Sequence, residues 1–227
     1  MTGYKRCAIV LARYSSSRFP GKALYPICGK TLLEWCLYFL KKSNGFDTIL
    51  ATSTHPTDDP LQQLAENMGI KCFRGDLNDV YKRVVDCIEF YKIDTFARIN
   101  GDSPFPQTSL IESAFGQLEM SDLDFVTNLY PRTFPYGISV EVFRTTTFTT
   151  HYPMLDTAEQ HEHITSYFYT HANQFKYKNL TSDTPLNGDI RLVVDTKEDL
   201  PLIEKILNHP DITTSPDLKT IISILND

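Results

Sequence analysis

The feature that most constrains the fold of this chain is a regular alternation of strand-like and helix-like segments through its first hundred residues. Short apolar runs rich in β-branched residues predict four strands, at 7–12, 47–54, 70–75 and 94–100. The amphipathic stretches between them predict three helices, at 31–42, 59–69 and 78–92. Strands that alternate with helices form right-handed βαβ units, so the sequence predicts an α/β fold with a mainly parallel sheet.

The second half of the chain mixes the two patterns. Residues 138–143 alternate apolar and polar side chains, which predicts a strand with one exposed face. Further strands are predicted at 124–129, 175–180 and 190–195, helices at 109–118 and 161–172, and two helices follow at the C-terminus. The chain has no internal repeat, low-complexity tract or long linker. We therefore expect one domain over residues 1–227, with a small antiparallel extension late in the sheet.

Composition narrows the classes of function. The net charge of −6 argues against a nucleic-acid-binding protein, which needs a basic face. No apolar stretch approaches membrane-spanning length, and the N-terminal residues carry no signal pattern, so neither a membrane nor export is expected. The five cysteines are scattered without a CxxC pair, which is typical of reduced thiols rather than of a disulfide framework or a metal site. The cytoplasm is the expected location.

The segment after the first predicted strand, ARYSSSRFPGKALYP at 12–26, is the strongest functional signal. It carries Arg13, Arg18 and Lys22 among three serines and a Pro-Gly pair. A loop of this length exceeds the usual connection of about 2–6 residues between a strand and a helix. Three cations interspersed with backbone amides and hydroxyls form a cradle for a polyphosphate. The later CGKT is not a P-loop, because position 24 is Leu and not the required Gly.

Two aspartates follow predicted strands elsewhere in the chain. Asp102 comes after Asn100-Gly101, and Asp195 ends the run IRLVVD. An Asx turn or a helix N-cap would explain either residue alone. Ligands of open parallel sheets bind at the carboxyl ends of the strands, so the two carboxylates and the cationic loop are expected to meet there. Together they suit a hard cation that bridges to phosphate oxygens.

The segment HEHIT at 161–165 is not a zinc-binding motif. His161 and His163 are two residues apart and would lie on opposite faces of a helix, whereas the HExxH motif places its histidines four apart. His163 could still line a pocket.

The order of these motifs resembles the nucleotide-sugar cytidylyltransferases, in particular the branch of spore-coat polysaccharide biosynthesis. It is more distantly similar to the synthetases of CMP-3-deoxy-octulosonate and CMP-sialic acids. The pattern ARxGSxRxPGK is matched by Ala12, Arg13, Ser16, Arg18, Pro20, Gly21 and Lys22. Further matches are FRG…DV at 73–80, RxxGDxPF at 98–105, NxxPRTxPxG at 128–137, VEVF at 140–143, EHIT at 162–165 and RLxVDTxEDL at 191–200. The chain departs from the pattern at Ser15, where the family usually has Gly, at Ser139, a usual Asp, and at Lys197, a common Pro.

The resemblance implies a Rossmann-like sheet of the nucleotide-diphospho-sugar transferase type. It also implies transfer of CMP from CTP to an acceptor hydroxyl, usually on a sugar acid, with Mg²⁺ as the cofactor and pyrophosphate as the leaving group. Catalytic roles fall to Arg13, Arg18, Lys22, Asp102 and Asp195, and the two aspartates would hold the metal. Nucleotide binding is assigned to Ala12, Ser16, Arg74, Asp79 and Asn100, and acceptor binding to Arg132, Glu141 and His163. A homodimer is expected from the resemblance alone.

Other functions remain open from the sequence. The base could be guanine or uracil, and the acceptor could be a phosphonate or another hydroxyl compound. A glycosyltransferase would use a DxD pair, which Asp122-Leu-Asp124 spells, although this lies in a surface-like stretch before a strand. A non-catalytic nucleotide-binding subunit is disfavoured because both Asp102 and Asp195 are present.

Overall fold

The computed structural model describes residues 5–16, 18–182, 190–214 and 216–226. Its strands are β1 (Arg6–Leu11), β2 (Pro26–Ile27), β3 (Lys30–Thr31), β4 (Asp47–Ser53), β5 (Lys71–Gly75), β6 (Thr95–Asn100), β7 (Phe125–Thr127), β8 (Glu141–Arg144) and β9 (Tyr177–Asn179). Its α-helices are α1 (Leu32–Leu40), α2 (Asp59–Asn67), α3 (Val80–Tyr91), α4 (Thr108–Glu119), α5 (Thr145–His151), α6 (Ala158–Glu162), α7 (Ser166–Thr170), α8 (Leu200–Leu207) and α9 (Leu218–Asn226). The predicted alternation of strands and helices in the first half is confirmed.

Seven strands form the main sheet, in the order β5-β4-β1-β6-β8-β7-β9. The pairs β4–β5, β1–β4, β1–β6 and β7–β9 are parallel, whereas β8 runs antiparallel to both β6 and β7. A separate antiparallel pair joins β2 and β3. The predicted mixed, mainly parallel sheet with a small antiparallel part is therefore confirmed. Because β5, β4, β1 and β6 are parallel, their carboxyl ends share one edge of the sheet.

The central strand β1 is covered on both faces. Its side chains alternate, so that Ala8 and Val10 join the apolar cluster of α1, α2 and α4, and Cys7 and Ile9 join the cluster of α3, α5 and α7. Burial on both faces explains why the strand reads as a continuous apolar run rather than an alternating one. A third apolar cluster packs α8 and α9 against Trp35 and Phe39 of α1.

Two predicted elements of the second half are wrong. Residues 190–195 do not form a strand and make only an isolated bridge between Arg191 and Tyr136. Leu192 and Val194 are buried in the third cluster, so their apolar character reflects packing rather than a strand ladder. The predicted helix at 161–172 is interrupted after α6, where His163 takes a non-helical conformation and α7 begins at Ser166.

Helix α5 was not predicted from the sequence. Five of its seven residues are threonines, which are β-branched and disfavour a helix. Phe148 within it is fully buried and stacks on Tyr81 of α3, with ring centroids 3.9 Å apart. Burial of this aromatic side chain outweighs the weak local propensity. Within the described ranges, the structure contains no helix with the length and apolarity needed to cross a membrane.

Gly137 places the segment around Leu192 against the turn at Tyr136. Its φ of +103° is a conformation that residues with a side chain rarely adopt, and an added Cβ would lie 2.4 Å from the Leu192 carbonyl. The Leu192 amide donates to the Tyr136 carbonyl at 2.6 Å. This glycine therefore allows the chain before Asp195 to reach the cavity edge.

We expect Gly137→Ala to lower the free energy of unfolding by at least ~2 kcal/mol, because both the backbone conformation and the close contact oppose a Cβ. Urea unfolding measures this loss. Gly116→Ala in α4 is the matched control, since its Cβ would meet nothing within 4 Å. That variant should be unchanged or more stable by ~0.5–1 kcal/mol. Equal stability of Gly137→Ala and the wild type would contradict the claim that position 137 requires a glycine.

Candidate active site

The loop after β1 is fixed to the end of β4 by a buried carboxylate. Asp58 is fully buried and accepts the Tyr14 amide at 2.7 Å through Oδ1. Its Oδ2 accepts the Thr52 hydroxyl at 3.0 Å and the Ser53 amide at 3.1 Å. Burial would raise the pKa of Asp58, but the hydrogen bonds, chiefly from Ser53 and the Tyr14 amide, favour the charged form and lower it. The cationic loop is thus held in place by an anion that faces its backbone.

The end of β6 lies against the start of the same loop. The Gly101 amide donates to the Leu11 carbonyl at 2.9 Å, and a Cβ on Gly101 would lie 3.1 Å from both that oxygen and the Ala12 Cβ. A glycine here permits the close approach of the two chain segments. Asp102, which follows it, accepts the Val194 amide through its backbone carbonyl at 3.0 Å. Backbone contacts therefore connect the loop, Asp102 and the segment that ends in Asp195.

Lys22 lies between the two aspartates. Its Nζ is 2.8 Å from Asp102 Oδ2 and 3.2 Å from Asp195 Oδ1, and it also donates to the Val194 carbonyl at 2.9 Å. The Lys22 and Asp195 side chains are only 13% and 9% exposed. This largely buried ammonium uses its three N–H groups on two carboxylates and a carbonyl, as a desolvated cation requires.

The other two cations of the loop also face carboxylates. Arg18 Nη2 donates to Asp195 Oδ1 at 2.8 Å, while Arg191 contacts the second oxygen of Asp195 at 3.1 Å. Arg13 makes a two-point contact with Glu162 at the end of α6, at 2.5 and 3.3 Å. Each cation that the sequence assigned to a phosphate cradle is therefore paired with an acidic side chain.

These groups surround a cavity of about 570 Å³ at the carboxyl edge of the parallel strands. Ten of the residues predicted for the site line it: Ala12, Arg13, Ser16, Arg18, Lys22, Asn100, Asp102, Arg132, His163 and Asp195. The volume is in the range of small-molecule sites, and its wall is more polar than apolar. Ser15 also lines the cavity without a left-handed backbone conformation, so the serine found in place of the family's glycine causes no backbone strain.

Three predicted site residues are not among those that line the cavity. Arg74 donates to the Ser53 and His55 carbonyls and pairs with Asp59, so it ties β5 to the loop before α2. Because these partners occupy its guanidinium, the structure does not place Arg74 where it would contact a nucleotide.

The other two are Asp79 and Glu141. Asp79 caps α3 by accepting the Lys82 amide and also receives the Tyr152 hydroxyl at 2.9 Å. Glu141 is fully buried and accepts from Arg98 at 2.8 Å and from the Tyr169 hydroxyl at 2.7 Å. Both carboxylates are engaged by contacts within the protein and neither lines the cavity, so the structure does not place Asp79 beside a nucleotide or Glu141 in the wall of an acceptor pocket.

The DxD pair also lies elsewhere. Asp122 is 80% exposed and pairs with Lys176, and Asp124 accepts the Thr147 hydroxyl and the Lys176 amide. Neither residue lines the cavity, so the structure does not support their use as a DxD metal site.

Several cavity residues were missed by the sequence reasoning. Arg83, Arg98, Glu162 and Arg191 line the cavity or pair with residues that line it. The sequence did contain a signal for three of them, because Arg98, Arg191 and Glu162 lie within the motifs matched at 98–105, 191–200 and 162–165. Arg83 stood in a helix where a charged residue is ordinary, so no sequence pattern distinguished it.

The residues around Asp102 fit a divalent cation held jointly with a ligand. Asp102 Oδ1 is buried and lacks a hydrogen-bond partner in the described structure. Across the described ranges no group of three or more histidine, cysteine, aspartate or glutamate side chains could hold a metal ion without help. Mg²⁺ is typically bound by one or two carboxylates together with substrate phosphates. Asp102 and Asp195 are a donor set of that kind, and the Lys22 ammonium between them shows that the position accepts a cation.

Comparison with known proteins identifies relatives across the whole chain. A family model described as "Cytidylyltransferase" matches residues 7–219. The spore coat polysaccharide biosynthesis protein SpsF of Bacillus subtilis is 30% identical, over 96% of this chain and 92% of that protein. The 3-deoxy-manno-octulosonate cytidylyltransferase of Synechococcus elongatus is 29% identical over 54% of this chain and 50% of its own length. The structure of a cytidylyltransferase from Leptospira borgpetersenii superposes with a TM-score of 0.89 at 25% identity, covering 99% of this chain and 93% of that one.

The role of Asp58 predicts a pH dependence of stability. Because its pKa is lowered in the folded state, the stability it contributes is present above the ordinary aspartate pKa of about 4 and is lost as the pH falls through the folded value. We expect Asp58→Asn to be clearly less stable than the wild type at pH 7, with the difference shrinking as the pH falls below about 4. Urea unfolding of both proteins between pH 7 and pH 3 measures it. A difference that is constant over this range would show that the charge of Asp58 does not hold the loop.

Proposed function

The chain belongs to the cytidylyltransferase family, and from this premise we propose that it transfers CMP from CTP to the hydroxyl group of an acceptor, with release of pyrophosphate. The observation that carries the proposal is the meeting of Arg13, Arg18 and Lys22 with Asp102 and Asp195 in one cavity. A cationic loop opposite two strand-end carboxylates suits a triphosphate bound together with a metal ion.

The reaction is an in-line substitution at the α-phosphorus of CTP. The acceptor oxygen forms a new bond to the α-phosphorus and loses its proton, while the bond from the α-phosphorus to the bridging oxygen of the β-phosphate breaks. Pyrophosphate carries away that electron pair. Negative charge accumulates on the phosphate oxygens, so the protein acts mainly through positioning and electrostatic stabilisation.

The loop cations supply the positive charge at the triphosphate. Arg13 and Arg18 offer planar forks that match two phosphate oxygens at once, and Lys22 offers a compact point charge. In the structure each is held by a carboxylate within 3.2 Å, which keeps it near the cavity wall before substrate arrives. Substrate phosphates would take over these contacts, so the cations neutralise the pyrophosphate as it leaves.

Asp102 and Asp195 would hold Mg²⁺, which when bound would polarise the α-phosphate and orient the acceptor oxygen. The unpartnered, buried Oδ1 of Asp102 supports this assignment. Asp195 is oriented by Arg18 and Arg191, one on each carboxylate oxygen. These two contacts hold the Asp195 carboxylate in one orientation.

The acceptor that we propose is a sugar acid. Arg132 lines it, with its guanidinium 5.3 Å from the centre of the Tyr136 ring and donating to the Ile138 carbonyl at 3.3 Å. A stacked, partly engaged guanidinium binds a carboxylate in a defined orientation, and His163 lines the same cavity. The relative from Synechococcus elongatus is named for an octulosonate, which is a sugar acid, and SpsF is named for polysaccharide biosynthesis.

The experiment that tests the proposal is a pyrophosphate-release assay with Mg²⁺ and each of CTP, UTP, GTP and ATP, against a panel of sugar acids, neutral sugars and hydroxylated phosphonates. We expect release with CTP and at least one sugar acid, and a CMP-linked product by mass spectrometry. Release that is faster with another nucleotide, or that occurs only with a neutral or phosphonate acceptor, would contradict the corresponding part of the proposal.

Substitutions at the charged cluster test the roles of its members. We expect Asp102→Asn and Asp195→Asn to lower kcat/KM by at least ~1,000-fold, because each removes negative charge from the metal position. Lys22→Met should lower it by ~100-fold, which corresponds to about 2–3 kcal/mol for one preorganised charge. Asp122→Ala is the control and should retain wild-type activity, since its exposed carboxylate pairs only with Lys176 among the described contacts. Near wild-type turnover of either cavity aspartate variant at saturating Mg²⁺ would refute the two-carboxylate site.

A further inference from the structure

Arg83 is the most unusual charged residue of the cavity wall. It lies one turn into α3 and is only 1% exposed, yet it lines the cavity. Gly75 at the end of β5 makes room for it, because a Cβ there would lie 2.8 Å from Arg83 Cγ. The fold therefore provides space for a large cation beneath the cavity.

The guanidinium of Arg83 is held in place but not paired with an acid. Its Nε donates to the Asp76 carbonyl at 2.8 Å and its Nη2 to the Leu77 carbonyl at 3.1 Å. No carboxylate lies within ion-pair distance of it in the described part of the chain, and its remaining N–H groups have no protein acceptor there. Arginine is almost never fully buried without a partner, so guanidinium N–H groups without an acceptor at a cavity wall indicate a ligand.

Arg83 lies on the α3 side of the cavity, away from the Lys22–Asp102 ion pair, although its pKa, which burial lowers most, is lowered further by the nearby Arg13 of the cationic loop. Helix α3 packs on β4 and β5, whereas Asp102 follows β6 and pairs with Lys22 of the loop after β1. In the sheet, β4 and β6 are two strand spacings apart, or roughly 10 Å. That is the distance over which a nucleoside extends from its α-phosphate to the edge of its base.

The wall next to Arg83 has the character of a base site. Val80, three residues earlier on α3, and Leu11, at the end of β1, both line the cavity and are apolar. Residues three apart on a helix share a face, so Val80 and Arg83 present an apolar surface beside a row of donors. A planar base needs this combination, with apolar contact for its faces and fixed polar groups at its edge.

We propose that Arg83 reads the base of the nucleotide by donating hydrogen bonds to O2 and N3 of cytosine, and that it is the residue through which the enzyme prefers CTP to UTP. The inference rests on the proposed cytidylyl transfer and deepens it. Cytosine presents two adjacent acceptors to the guanidinium fork, whereas uracil presents an N3–H donor at the second position. A guanidinium has only donors, so uracil leaves two N–H groups facing each other.

The electrostatic surroundings of Arg83 are mixed. Burial lowers the pKa of Arg83 most, attraction to Asp58 raises it, repulsion from Arg13 lowers it further, and Asp76 and Glu162 raise it. The guanidinium therefore offers a ligand both a charge and free donors, and the titrations below distinguish a base from a phosphate as the group that it contacts.

The experiment uses calorimetric titrations with Mg²⁺ that need no acceptor substrate. CTP, UTP, GTP and inorganic tripolyphosphate are each titrated into the wild type, Arg83→Lys and Arg83→Met. Arg83→Lys keeps the charge and loses the fork, so it reports on base reading even if Arg83→Met fails to fold. Lys82→Met, at an exposed position next to Arg83 that pairs with Asp86, is the matched control.

We expect both Arg83 variants to bind CTP at least ~10-fold more weakly, with less than a ~3-fold change for UTP and tripolyphosphate, so that the CTP-to-UTP preference collapses. Lys82→Met should match the wild type. An equal loss for all ligands would show that Arg83 binds phosphate, and an unchanged preference would show that it does not read the base. Either result overturns the inference while the proposed function stands. Wild-type protein that binds UTP or GTP more tightly than CTP would instead contradict the proposed function.

Discussion

The site depends on one interaction, the Lys22 ammonium between the carboxylates of Asp102 and Asp195. Its three members come from the loop after β1, the end of β6 and the segment before α8, which are far apart in sequence. Backbone hydrogen bonds also join these segments, with Gly101 donating to Leu11 and Val194 donating to Asp102. Without the lysine, Asp102 would lose its ion pair within the described structure, whereas Asp195 would keep Arg18 and Arg191.

The same charge balance explains how an acidic protein can bind a polyanion. The chain carries a net charge of −6, but its cavity concentrates cations and pairs each of the loop cations with an acid. In our account, a triphosphate and Mg²⁺ replace these internal pairs by equivalent ones, phosphates on the cations and metal on the aspartates. The exchange leaves no charge buried without a partner, and the internal pairs keep the cavity side chains in place.

Topology explains which parts of the site could be predicted. Arg13, Asp102 and the other strand-end residues were predictable because the carboxyl ends of parallel strands share one edge, whatever the details of packing. Asp195 reached that edge although its predicted strand is absent, since burial of Leu192 and Val194 positions the segment instead. The role proposed for Arg83 could not be predicted from the sequence. It depends on the space that Gly75 leaves for the side chain and on the absence of an acidic partner in the described chain. The converse holds for Arg74, for which a nucleotide contact was predicted. In the structure its N–H groups donate to nearby carbonyls and to Asp59.

The most direct test of the account is the affinity of the wild-type protein for CTP, measured by calorimetry with and without Mg²⁺ at constant ionic strength. In the proposed complex the two aspartates bind Mg²⁺ while the lysine and the arginines bind the phosphates. Mg²⁺ should therefore tighten CTP binding by at least ~10-fold, because without the metal the carboxylates repel the triphosphate. The same affinity in the presence and absence of Mg²⁺ would contradict the claim that the two carboxylates and the three cations form one site.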